Sequence, residues 1–359
     1  MAAIPRVALS MLTLVPGGMG GSETYARELT RQLATTGEVD ATAYVPSGVH
    51  GFSQGIPEVG VEGVRSGSST IDRLGSVASS LLGARRIRAV MRSPDVVHFP
   101  FTVPVPAPAR GVGFVQTLLD VQHLDLPHLF SRLELLYRHR FYEGAAARAD
   151  IVITISEFAK SRMVESLGLD PDRVRVAPLG VRTSDFAPNP GEREDFVLYP
   201  ARGWPHKNHA RLVEAVALLR RARPGLRLVL TGGGLDTLGD LPDWVDVRGL
   251  VSTEELRDLY RRAAVMAFPS LYEGFGLPPL EAMASGCPVA ASNAGSIPEV
   301  CGDAAVLFDP HEPTAIAAGI TSALELAPVL YDRGIAQAAA FTWERCSDVH
   351  VAAYRDAVR

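Results

Sequence analysis

The chain has 359 residues, and at roughly 150 residues per domain two medium-sized domains are the natural expectation. Hydrophobic residues make up 47% of it and charged residues 21%, with a net charge of −5, which excludes general disorder and, for want of a basic surface, a dedicated nucleic-acid binder. Three cysteines without CxxC spacing, Cys287, Cys301 and Cys346, give neither a disulfide framework nor a zinc site and point to the cytoplasm, and no apolar run reaches the roughly 20 residues of a bilayer-crossing helix.

Along the chain, apolar runs of strand length alternate with segments of helical period, the pattern of βα units around a parallel sheet. Strands are predicted at 6–15, 42–45, 96–99, 113–118 and 150–155, with helices at 23–36, 73–92, 132–148 and 157–167. The helix at 73–92 carries Arg85, Arg86, Arg88 and Arg92 beside Val77, Leu81, Leu82 and Ile87. It reads as a solvated basic face backed by a core-facing stripe, with peripheral contact to an anionic membrane as the other reading. Residues 103–113, rich in proline, read as a surface loop. The stretch 181–195 (VRTSDFAPNPGERED) breaks both periods and reads as an inter-domain linker. Beyond it, strands are predicted at 196–199, 226–230, 245–247, 265–268, 289–292 and 305–307, and helices at 209–223, 253–262, 279–284 and 313–326. Each half therefore reads as its own doubly wound parallel sheet.

Three loops carry chemistry. The first predicted strand runs into Pro16-Gly17-Gly18-Met19-Gly20-Gly21 at the start of a helix, where glycines admit a ligand and free amides suit an anion. A strict GxGxxG is absent, so a dinucleotide-redox reading is weak. The segment 199–208 (YPARGWPHKN) brings Arg202 and Lys207, one of only two lysines in the chain, onto a strand-to-helix loop where the two could neutralise a diphosphate. In 270–289, Glu273 and Glu281 bracket a glycine-rich turn at a helix start, an arrangement that suits sugar hydroxyls and a polar ligand.

The run EGFGLPPLEAMASGCPVAASNAGSIPEVCGDAAVLFDP (273–310) closely resembles the signature of retaining glycosyltransferases of family 4, whose E-x7-E pattern Glu273 and Glu281 match. The similarity extends over PGGMGGSETYARELT, DVVHFP, SEFAK, APLGV, YPARGWPHKNH and FTWERC. It implies an α/β GT-B fold: two Rossmann-like domains with a central cleft, an acceptor-binding domain over 1–183, a nucleotide-sugar domain over 184–340, and a helix over 341–359 crossing back. The implied donor is a nucleotide-diphosphate sugar, with no further cofactor, no metal and no nucleic acid. The acceptor is a glycan, lipid-linked or small-molecule hydroxyl. Carried over, Glu281 accepts from the ribose, and Glu273 with Gly274, Phe275, Gly276 and Leu277 holds the sugar. Arg202 and Lys207 clamp the diphosphate, Gly18, Gly20 and Gly21 close over it, and Arg248 and Leu250 lie at the base. From their own positions at strand ends, Asp120 reads as binding the acceptor or holding a loop, and His98 as facing the acceptor or as a histidine satisfied by local hydrogen bonds. Where many members carry a histidine near the sugar, this chain has Leu119, which suits a 6-deoxyhexose such as rhamnose; His123 is the other candidate for that contact. Alternatives are a relative with other chemistry, such as a 2-epimerase, or a nucleotide-sugar binder without turnover.

Overall fold

The computed structural model describes residues 4–64 and 70–359. The chain divides into two compact units, one of Met1–Leu179 with Trp343–Arg359 and the other of Gly180–Thr342. The divisions fall a few residues from the expected 183/184 and 340/341.

The first unit is built on a parallel sheet in the order β3-β2-β1-β4-β5-β6-β7. In chain order its elements are β1 (Arg6–Ser10), α1 (Gly21–Thr36), β2 (Asp40–Pro46), β3 (Glu58–Val61), α2 (Thr70–Leu82), α3 (Ala84–Val90), β4 (Val96–Phe99) and β5 (Gly113–Thr117). Then come α4 (Gln122–Asp125), α5 (Arg132–Arg138), a wide π turn (His139–Glu143), α6 (Gly144–Ala146), β6 (Ile151–Thr154), α7 (Glu157–Leu167) and β7 (Val174–Val176). The second unit holds β8 (Glu194–Pro200), α8 (His209–Leu219), β9 (Arg227–Thr231), β10 (Val245–Gly249), α9 (Thr253–Arg262), β11 (Ala263–Phe268), α10 (Leu277–Ala284), β12 (Val289–Ser292), α11 (Ile297–Cys301), β13 (Val306–Phe308), α12 (Pro313–Glu325) and α13 (Ala327–Ala340). Its sheet runs β10-β9-β8-β11-β12-β13, all parallel where paired. The last helix, α14 (Trp343–Ala357), belongs to the first unit. The two sheets are those of a GT-B protein.

Several expectations need correction. The first strand ends at Ser10, and Met11, Leu12 and Leu14 are buried in the loop that follows; an apolar run alone does not separate a strand from a buried turn. The helix expected over 73–92 is split at Gly83. That expected over 132–148 is broken by the π turn, which brings Glu143 onto both His123 (3.1 Å) and His139 (2.9 Å).

Helix α14 is locked into the first unit by buried polar contacts. The Tyr25 hydroxyl lies 2.8 Å from Thr117 Oγ1 and 2.6 Å from His350 Nε2. His98 joins Thr117 (2.7 Å) to the Tyr354 hydroxyl (2.8 Å), and His350 Nδ1 donates to the Cys346 carbonyl (2.7 Å). Four elements thus share one network, whose members satisfy one another in a setting where an unpaired polar group is costly. Gly113 makes room for the end of the helix: a Cβ there would sit 2.3 Å from the Ala357 carbonyl oxygen. The three cysteines are buried and unpaired, and burial pushes the Cys287 and Cys301 thiols up to about 12.

Candidate functional site

In the second sheet the chain steps from β8 outward to β9 and β10, then returns to the other side of β8 as β11. The β8/β11 boundary is therefore the topological switch point, and open α/β sheets bind ligands beyond the carboxyl ends of strands at such a point. The loops after β8 and β11 carry Lys207 and Glu273. Lys207 Nζ donates to Glu273 Oε1 at 2.5 Å, with the two side chains only 14% and 13% exposed.

The surroundings fix that pair. The Tyr199 hydroxyl, at the end of β8, donates to the Lys207 carbonyl (2.7 Å) and meets Ser270 Oγ (3.1 Å). Asn208 takes a left-handed conformation (φ 62°), and its amide donates to the carbonyls of Pro269 (3.0 Å) and Pro310 (2.7 Å). On the other side Ser296 Oγ donates to the Phe275 carbonyl (2.5 Å) and lies 3.0 Å from that of Glu273. Lys207 also faces the Phe268 ring at 5.7 Å. A cation held this way is a fixed point charge, suited to phosphate. Buried His206 beside it is held neutral by desolvation and by the lysine's charge, its pKa lowered to about 4.

Glu273 leads through Gly274, Phe275 and Gly276 into α10, where Gly276 (φ 130°) is the N-cap and Leu277 the first helical residue. Pro278 and Pro279 have no N–H, so the amide donors of this first turn are those of Leu277 and Leu280. Phe275 turns its ring onto Phe341 (5.7 Å), leaving its backbone as what it offers a ligand. Further along α10, Glu281 accepts from the Tyr260 hydroxyl through Oε2 (3.0 Å). Burial raises its carboxyl pKa, opposed by the tyrosine hydrogen bond and by the charge of Arg257.

Arg202 extends over Trp204 (5.4 Å), and among the described residues no carboxylate pairs with it. Its neighbour Gly203 donates to the Gly233 carbonyl at 3.0 Å, in an approach so close that a Cβ on Gly203 would lie 2.0 Å from the Gly234 oxygen. The loop Gly232–Gly234 lines an open cavity of about 760 Å³ with Arg248 and Leu250. Arg248 is held by Asp246 (2.9 Å) and Glu255 (3.4 Å). The structure thus brings Lys207 to Glu273, and Arg248 and Leu250 to one cavity. Sequence reasoning missed the glycine loop, although a strand followed by Gly-Gly-Gly signals a close backbone approach, and it missed Tyr260, whose position on α9 leaves no such mark.

In the first unit the switch point lies between β1 and β4, and the loop after β1 is the one holding Gly17, Gly18, Gly20 and Gly21. Gly20 caps α1 without a side-chain bond, while the Gly17 amide donates to Glu23 (2.8 Å). Asp120 follows β5 and accepts from the Gln122 amide (3.0 Å), while Leu119 is partly exposed beside it. His98 is corrected: it is fully buried and both ring nitrogens are engaged by Thr117 and Tyr354, so it touches no substrate and instead positions α14. His123 is buried with its Nε2 3.1 Å from Glu143 Oε1, while its Nδ1 has no hydrogen-bond partner among the described residues.

A family model described as Glycosyl transferases group 1 matches residues 181–339, and one described as Glycosyltransferase Family 4 matches residues 19–185. The chain is 32% identical over 273 residues to an O-antigen chain mannosyltransferase B of Escherichia coli, covering 69% of this chain and 71% of that protein. It is 35% identical over 223 residues to an MMP alpha-(1->4)-mannosyltransferase of Mycolicibacterium hassiacum, covering 58% of this chain and 54% of that one. Among solved structures, sucrose-phosphate synthase from Thermosynechococcus elongatus superposes with a TM-score of 0.81 at 20% identity, covering 98% of each chain. HepE of Anabaena, in complex with UDP and glucose, gives 0.69 at 18%, covering 96% of this chain and 97% of that one. At these identities the structural matches speak for the fold.

Proposed function

This chain belongs to glycosyltransferase family 4, and from that premise we propose that it moves a mannose-type hexosyl group, in 6-hydroxy or 6-deoxy form, from a nucleotide-diphosphate sugar to an acceptor hydroxyl. Transfer is with retention and without a metal ion, and the acceptor is a glycan, a lipid-linked sugar or a small molecule. The observation that carries the reading is the half-buried Lys207–Glu273 pair at the β8/β11 switch point. The relatives named as mannosyltransferases support the sugar class.

In this reading Lys207 and Arg202 neutralise the departing diphosphate, a fixed electrostatic contribution that needs no reorganisation as charge develops. The bond from C1 to the phosphate oxygen breaks with its electron pair going to that oxygen. The acceptor hydroxyl adds to C1 from the same face, and its proton passes to the leaving oxygen. Glu273 orients the sugar, the Leu277 amide donates to it, and Glu281 accepts from the ribose hydroxyls. Gly232–Gly234, Arg248 and Leu250 form the wall against the base.

The test is nucleotide release from UDP-, GDP- and dTDP-sugars, each in 6-hydroxy and 6-deoxy form, with NMR of the product's anomeric proton. Turnover of one donor with retention is expected, with Lys207→Ala and Glu273→Ala each losing on the order of 10²–10³ in rate, the scale of removing one preorganised electrostatic group. Inversion at C1, or full activity in both variants, overturns the reading.

A further inference from the structure

The connections from β10 to β11 and from β11 to β12 step the chain in the same direction across the second sheet. Right-handed crossovers therefore lay α9 and α10 on one face of it. Helix α9, TEELRDLYRR, is charged along most of its length and buries only Leu259 and Tyr260. A buried tyrosine needs a partner for its hydroxyl, and this one finds it on the neighbouring helix, donating to Glu281 Oε2 at 3.0 Å. Burial and the charge of Glu281 push the Tyr260 hydroxyl well above the usual tyrosine range, so it keeps its proton and remains a donor.

The frame around the pair is stiff. A single guanidinium ties the carboxyl ends of both helices: Arg193 Nη1 donates to the carbonyls of Tyr260 (3.0 Å), Arg261 (3.0 Å) and Ala263 (3.1 Å) at the end of α9, and Nη2 to those of Ser285 (3.3 Å) and Gly286 (2.7 Å) just beyond α10. Its charge there meets the negative ends of two helix dipoles. One turn before Tyr260, Arg257 is engaged by Asp185 (2.6 Å) and lies over the Phe186 ring (5.3 Å), so it lends Glu281 its charge and no hydrogen bond. Glu281 therefore has one oxygen committed and one available, because among the described residues no donor reaches Oε1. The tie between the helix ends denies α9 and α10 the relative shift that would release Oε2.

We propose that Tyr260 is a positioning residue for the donor: by holding Glu281 Oε2 it presents Oε1, and Oε1 alone, to the hydroxyls of the nucleotide's ribose. The proposal rests on the reading of Glu281 as the ribose ligand and adds what aims it. A carboxylate free to turn would lose part of its hydrogen-bond energy to ordering when the nucleotide arrives, whereas one already held by Tyr260 is ordered when the chain folds.

The test is calorimetric titration of the full chain with UDP, GDP and dTDP, each beside its 2′,3′-dideoxy form, which has no hydroxyl to offer Glu281. For the nucleotide that wild type binds best, Glu281→Ala should weaken binding about 10- to 150-fold, the worth of a hydrogen bond to a charged group, and Tyr260→Phe about 3- to 10-fold, that of an ordinary one. With the dideoxy form both losses should shrink to less than about twofold, and Tyr260→Phe should add less than about twofold in the Glu281→Ala background. Tyr260→Phe keeps the ring and so the packing, and its comparison of the two nucleotide forms stands by itself if Glu281→Ala fails to fold. A role for Tyr260 in structure alone would weaken both forms alike, and that result overturns the proposal, as does a Tyr260→Phe variant that binds like wild type. If instead Glu281→Ala binds both forms like wild type, the ribose contact itself is withdrawn, a failure distinct from one confined to Tyr260. Absence of binding of all three nucleotides by wild type removes the site and the proposal with it.

Discussion

Leu119 is a single side chain with a readable consequence. Partly exposed after β5, it offers a sugar nothing but methyl groups, so a hydroxyl turned toward it has no partner. A buried hydroxyl left unpaired costs about 1–3 kcal/mol, so Leu119→His should shift the ratio of kcat/KM for 6-hydroxy over 6-deoxy donors upward by about 5- to 150-fold in a competition assay. An equal change for both donors would show that Leu119 does not face that carbon. Other single residues differ in how far the sequence exposes their role. Lys207 and Glu273 stand out because a lysine is rare in this chain and the spacing of the two glutamates is distinctive. His98 misleads, because a histidine near a strand's carboxyl end looks the same in the sequence whether it faces solvent or, as here, Thr117 and Tyr354. Tyr260 is invisible for a related reason: its importance lies in the oxygen of Glu281 it holds, 21 residues away.

The elements follow a similar rule. Most helices and central strands show in the periodicity because their faces are consistently buried, whereas the edge strands β3 and β7, of four and three residues, and the 14-residue helix α13 are not legible in it. The split at Gly83 and the π turn at 139–143 arise from contacts made across the fold, which a local period of 3.6 does not record. The apposition of the loops after β8 and β9 is equally non-local, yet it makes a sharp prediction. Gly203→Ala would set a Cβ against the Gly234 carbonyl, so one loop must retreat and carry Arg202 with it. Donor KM should rise at least tenfold while the melting temperature falls by only a few degrees. An unchanged KM would mean that Arg202 does not depend on this contact.

At the scale of the molecule, both units hold buried histidines that burial keeps neutral. His98, His123 and His350 lie in the first, and His206 and His209 in the second, with His206, His209 and His350 lowered from 6.5 to about 4. The unfolded chain therefore binds more protons than the folded one between about pH 6.5 and 4. Stability should be complete above pH 6.5 and drain away as pH falls through that window, on the order of 3 kcal/mol per fully shifted histidine. The raised carboxyl of Glu281 opposes this, one group against five. Denaturant midpoints measured from pH 7.5 to 4.5 should fall steadily, and a flat profile down to pH 5 would reject the argument. The return of α14 also sets an order of events in time. The helix that supplies His350 and Tyr354 to the first unit is made about 160 residues after Leu179, which at 5–20 residues per second is roughly 8–30 s later. Throughout that interval the nascent first unit presents Tyr25 and His98 with His350 and Tyr354 still unsynthesised, and by its end the second unit has its whole sequence. A ribosome that stalls shortly before Trp343 would thus leave the earlier-made half, not the later one, as the half that chaperones must hold.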